Sequence, residues 1–112
     1  MLKKALVVAL FPVTCFAHNF TEKDCMNAAF DASLFAYYRD EGMKWEQAQM
    51  QIQHDLAAAV ATPGKAYVQD DHDVQLMMGV AEEIWKHTEI DPGAAYNSVY
   101  HECNKAYQNN RG

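Results

Sequence analysis

The chain has few of the residues that carry catalysis. Its two serines, Ser33 and Ser98, both fall inside helical patterns, and neither has the context of a nucleophile elbow. Its five glycines form no phosphate-cradling loop. Its three cysteines show no CxxC or CxxCH spacing, which leaves no thiol-redox or haem-attachment motif. The longest unbroken apolar run after the opening residues, Ala5 to Phe11, has seven members, against the about 20 that a membrane-spanning helix needs. Basic residues are also scarce, nine against fifteen acidic ones, for a net charge of −6. That sign repels nucleic acid and anionic lipid and favours cationic partners. It also serves plain solubility. The expectation is therefore no enzyme, no cofactor, no nucleic-acid partner and no transmembrane segment.

The chain opens "MLKKALVVALFPVTCFA", with Lys3 and Lys4 before the apolar run, a break at Pro12 and small residues up to Ala17. This is the layout of a secretory signal peptide. Residues 1–17 are read as a removed leader and 18–112 as a single helical domain, periplasmic or secreted. A lipoprotein would carry a small, Leu-led triplet before its cysteine, and Pro12-Val13-Thr14 departs from that. Cys15 then leaves with the leader; a lipid on Cys15 is the alternative. Two cysteines remain, Cys25 and Cys103, and an oxidising compartment is expected to join them.

Apolar spacing predicts four helices. Thr21 and Asp24 form a capping-box start, and the first helix runs to a stop at Gly42. It is apolar on nearly every side, which places it at the centre. The second spans about Trp45 to Ala61. Its "EQAQMQIQ" alternates like a strand, but alanine, glutamine and methionine favour helix. The third spans Asp73 to Thr88, with Gly79 inside it suggesting close packing. The fourth starts at Asp91 as N-cap with Pro92 at the first helical position, and "QNNRG" is expected to fray. In an up-down bundle an even number of helices returns the chain to its starting end. Four helices thus bring Cys25 and Cys103 together. The predicted fold is all-α: a small four-helix up-down bundle with one disulfide between its first and last helices.

Candidate sites are sparse. His18, the N-terminus after cleavage, and His72 within "QDDHD" are the candidate metal ligands. A frayed end accounts for the first, and carboxylates favoured by a helix N-terminus account for the second. Glu83 and His87 share a helix face without the repeated Glu-x-x-His of di-iron bundles. His54-Asp55 and His101-Glu102 are read as diverging, solvated neighbours. The aromatic residues say more. Tyr37, Tyr38, Trp45, Trp85, Tyr96, Tyr100 and Tyr107 exceed what so small a core needs, and tyrosine and tryptophan are enriched at binding surfaces. Core packing beside the disulfide is the plainer account of Tyr96, Tyr100 and Tyr107. A contact surface for a protein partner is the sharper one.

Cys25, Arg39 and Gly42 within "YYRDEGM", and Cys103, together resemble a group of small secreted bacterial proteins that brings no activity with it. "YNSVYHECNKAYQNN" and the early "KDC" are similar to the spackle proteins of T-even phages. That resemblance implies a periplasmic, helical, one-disulfide inhibitor of a phage tail lysozyme. The middle of the chain departs from that family. The leading expectation is a disulfide-stapled domain that binds a protein partner, cationic in character, as an inhibitor or immunity-type factor. The alternatives are a small-ligand or metal carrier, or a small enzyme. Oligomeric state is left open.

Overall fold

A computed structural model describes residues 21–62 and 67–111, with side chains as far as residue 105. The described residues form four α-helices: α1 (Glu22–Asp40), α2 (Trp45–Val60), α3 (Asp71–Lys86) and α4 (Pro92–Arg111). They make an all-α up-down bundle, and Cys25 and Cys103 are bonded across α1 and α4, their Cα atoms 5.4 Å apart. No helix among the described residues is long and apolar enough to cross a membrane. The leader, the cut after Ala17, Cys15 and His18 lie outside the described residues.

Three helix starts and the end of α1 have a local reason. The Asp24 amide donates to Thr21 Oγ1 at 3.1 Å, and the Thr21 amide donates to Asp24 Oδ2 at 3.0 Å, which completes the capping box. α1 ends in a Schellman turn. The Met43 amide reaches back to the Tyr38 carbonyl and the Gly42 amide to that of Arg39, both at 3.0 Å, with Gly42 at φ 104°. At α4 the Ala94 amide donates to Asp91 Oδ1 at 2.7 Å, so Asp91 is the N-cap. α3 starts earlier than the spacing predicts, because Asp70 caps it by accepting from the Asp73 amide at 3.0 Å. α4 extends to Arg111.

Two glycines divide sharply. At Gly42 a side chain meets no atom within 4 Å, but the left-handed backbone strains any L-residue. Gly42→Ala is expected to destabilise by about 1–2 kcal/mol. Gly79 corrects the close-packing expectation: it sits mid-helix and half-buried, and a Cβ there also meets nothing within 4 Å. Gly79→Ala is expected to stabilise by about 0.5–1 kcal/mol, through helix propensity and the unfolded chain's lost freedom. Urea denaturation of the two variants should move the midpoint in opposite directions.

α1 packs most extensively on α4, then on α3, while α2 packs mainly on α3. Small residues allow the close α1–α4 approach: Ala28, Ala29, Ala32 and Ala36 are fully buried, as are Ala95 and Val99 opposite them. α3 fills the centre with Met77, Val80 and Ile84, none of them exposed. α2 contributes the stripe Ala48, Ile52 and Leu56. The α2–α3 link supplies two core residues that a loop reading misses, Tyr67 and Val68, both 3% exposed.

The charged residue that organises the fold is Arg39. Its side chain is 6% exposed, and its guanidinium joins three chain segments. Nη1 donates to the Ile84 carbonyl at 2.8 Å and to the His87 carbonyl at 3.2 Å; Nη2 donates to the Ile90 carbonyl at 2.6 Å. Nε and Nη2 also reach Asp40 Oδ1, at 3.0 and 2.8 Å. The carbonyls at the end of α3 have no intrahelical partner, and a buried cation answers both their hydrogen bonding and the helix dipole. Arg39 thus locks the end of α1 to the α3–α4 link, opposite the disulfide.

Candidate functional site

α1 is not covered on every side, which corrects its reading as a fully central helix. Met26 is 47% exposed, Phe30 56% and Tyr37 50%. They lie on a face that neither α3 nor α4 covers. α1 and α2 touch at few points, and an open groove of about 380 Å3 runs between them.

The groove follows from helical spacing. Asp31, Leu34, Phe35 and Tyr38 recur at i, i+3, i+4 and i+7 on α1. Gln51, Ile52, Asp55 and Leu56 face them from α2, and Met43 lies between the helices in sequence. Phe35, Ile52 and Leu56 are core residues that show only an edge, so the floor is firm and apolar. Among the described residues that line the groove, the charge comes from two carboxylates, Asp31 and Asp55, with no Lys or Arg beside them.

Neutral donors hold both carboxylates. Tyr67 Oη donates to Asp31 Oδ2 at 2.7 Å, and Gln51 Nε2 donates to Asp55 Oδ1 at 3.1 Å. His54 Nδ1 also comes within 3.6 Å of Asp55 Oδ1, where adjacent positions were expected to diverge, although both side chains are largely exposed. Burial pushes the Asp31 carboxyl above its ordinary range; the Tyr67 hydrogen bond pulls it back, and the charge of Asp55 raises it further. Burial, with the charge of Asp31 beside it, drives the Tyr67 phenol well above its usual value, so it remains a donor.

A carboxyl that binds its proton more tightly folded than unfolded costs stability once ionised. That cost is absent below the ordinary aspartate pKa and complete above the raised folded value. Asp31→Asn keeps an acceptor for Tyr67 and removes the charge. It is expected to raise the melting temperature at about pH 7, with the gain shrinking towards zero at about pH 3. Thermal denaturation of both proteins at the two pH values checks this.

The residues singled out from sequence fall in separate places. Tyr37 and Tyr38 meet edge-on near the end of α1, ring centroids 5.8 Å apart, and Tyr38 lines the groove. Trp45 and Trp85 pack against each other at 5.6 Å, and Trp85 Nε1 donates to the Met43 carbonyl at 2.8 Å. This pair braces the α1–α2 link against the end of α3. Tyr96 and Tyr100 stack at 6.1 Å on α4, and Tyr100 Oη donates to Glu22 Oε2 at 3.1 Å, beside the disulfide. That bond raises the Tyr100 pKa. The side chain of Tyr107 lies outside the described residues, as does His18. Sequence reasoning passed over Asp31 and Gln51, and took Asp55 for a solvated neighbour of His54. The signal available was the i, i+3, i+4, i+7 set on α1, whose aspartate interrupts an otherwise apolar face.

His72 is exposed, and donor atoms of Asp70, His72 and Asp73 lie within 4.8 Å of one another. Asp70 accepts from the Asp73 amide, and Asp73 Oδ2 accepts from the Gln69 amide at 2.9 Å. These bonds cap the start of α3, as the dipole reading expects. Glu83 and His87 do pair, Nε2 to Oε1 at 3.4 Å, and Glu89 lies 3.5 Å from the other ring nitrogen.

Fold and groove together define a class: a disulfide-stapled helical domain with an apolar, acid-edged surface groove. No protein-family model, curated protein or solved structure matches the chain.

Proposed function

We propose that the chain is an exported binding domain that engages a cationic protein partner, acting as an inhibitor or immunity-type factor. The observation that carries this reading is the groove between α1 and α2, with its apolar floor and two carboxylates that no Lys or Arg among the described lining residues neutralises. Exposed Met26, Phe30 and Tyr37 add apolar side chains on another face of the same helix. Exposed apolar patches of this kind mark contact sites. The net charge of −6 would speed association with a basic partner. A disulfide and the absence of a membrane-spanning helix among the described residues are compatible with a periplasmic or secreted protein. Lysozyme-type and toxin-type enzymes are often basic, and the spackle resemblance points the same way.

The test is co-purification from periplasmic extract, elution by salt, and reassembly of the purified pair followed by calorimetry. A partner that binds one to one and loses affinity as salt rises is the expected result. Intact mass beginning at His18 would establish the cut after Ala17. A second reading, a small-ligand carrier, rests on the groove volume, which lies within the range of small-molecule sites. Native mass spectrometry showing a ligand retained by the partner-free protein would favour the carrier.

A further inference from the structure

Resting on the partner-binding reading, we propose that the α1–α2 groove is the docking seat, and that Asp31 and Asp55 receive an arginine or lysine side chain from an apolar segment of the partner. Three observations carry this.

The first is chemical asymmetry. Phe35, Ile52 and Leu56 give the groove an apolar floor, while the formal charge among its described lining residues is two carboxylates with no lysine or arginine. A matching occupant has an apolar body and one cationic group. The second is orientation. Tyr67 holds Asp31 and Gln51 holds Asp55, and both are neutral donors. They fix the carboxylates in place without cancelling their charge, so each can still accept a charge-assisted hydrogen bond. His54 is the basic neighbour of Asp55, but it is 81% exposed and free to swing into water. The third is cost. Asp31 sits partly buried within the electrostatic reach of Asp55, an arrangement that opposes folding. The packing of α1 does not need that charge, since asparagine would still accept from Tyr67, through a weaker neutral hydrogen bond. A cation entering the groove relieves the repulsion it creates.

The test uses the 15N-labelled disulfide-bonded protein and two capped peptides, Leu-Arg-Leu-Phe and its isostere Leu-Gln-Leu-Phe. The arginine peptide is expected to shift the amides of residues 31–38 and 51–56 saturably, and to bind about tenfold more tightly than the glutamine peptide, the worth of one good charge contact. The Asp31→Asn/Asp55→Asn variant, checked for native dispersion in the same spectra, should bind both peptides with the affinity that wild type shows for the glutamine form. Equal binding of the two peptides by wild type, or shifts confined to α3 and α4, overturns the proposal without recourse to any variant. A co-purified partner that binds the double variant as tightly as wild type overturns the groove and leaves partner binding standing. Peptide binding as described, with no protein co-purifying, removes the partner reading and leaves the charge-selective groove.

Discussion

Arg39→Met is expected to lower the unfolding free energy by about 3–5 kcal/mol, the cost of breaking a buried charged network by removing one partner. The guanidinium donates to the carbonyls of Ile84, near the end of α3, and of His87 and Ile90 in the α3–α4 link, and the His87 carbonyl also accepts from the Ile90 amide. Methionine fills the space of the stem and satisfies none of them. The buried Ile84 and Ile90 carbonyls, left without that donor, each cost about 1–3 kcal/mol, while the His87 carbonyl keeps the Ile90 amide. Asp40, half-exposed, loses its cation as well, but water can take over there. Arg39→Lys keeps the charge but not the planar fork, and one ammonium cannot reach all these acceptors with the same geometry. It is expected to recover about half of the loss. Urea denaturation of the oxidised protein should rank wild type above lysine above methionine. If methionine matched wild type, the network would be incidental to stability.

The second large effect is at the other end of the same helix pair. Removing the Cys25–Cys103 bond by Cys25→Ala/Cys103→Ala is expected to cost about 4.5 kcal/mol, from the chain entropy regained by a loop of 78 positions. Alanine is the appropriate replacement because both cysteines are essentially unexposed and a hydroxyl would be buried there. A domain of this size has about 5–15 kcal/mol in total, so the reduced protein should be marginal at physiological temperature. Arg39 and Cys25 stand about 21 Å apart along α1 and share no partner, so their effects should add. Either change alone is then expected to leave a folded protein, and both together an unfolded one. Circular dichroism of the three variants, with and without reductant, reads this directly. Strong helix and a cooperative melt in the combined variant would show that neither clamp matters as argued.

Much of this architecture is legible in the sequence because helix ends are local. Thr21 with Asp24, Gly42, and Asp91 with Pro92 each act within one turn, and each stands where the chain begins or ends a helix. The capping of α3 was harder to place, because "QDDHD" offers several carboxylates and only the geometry selects Asp70. Cysteine pairing was legible once the helix count was even. The aromatic residues were legible as a group but not by place. Tyr96, Tyr100, Trp45 and Trp85 are equally apolar and equally periodic whether they brace the fold or meet a partner.

The sequence by itself determined the four helices, the caps that start α1 and α4, the all-α class and the disulfide between first and last helices. These rest on spacing within a few residues or on the parity of the chain's reversals. Only the tertiary structure decided that Arg39 is a buried clamp and not a surface charge, because its acceptors lie 45 to 51 positions away. It also decided that Asp31 and Asp55, on separate helices, edge one groove. That placement depends on how far α1 and α2 splay apart, which follows from the packing of both against α3 and from no local signal in either helix.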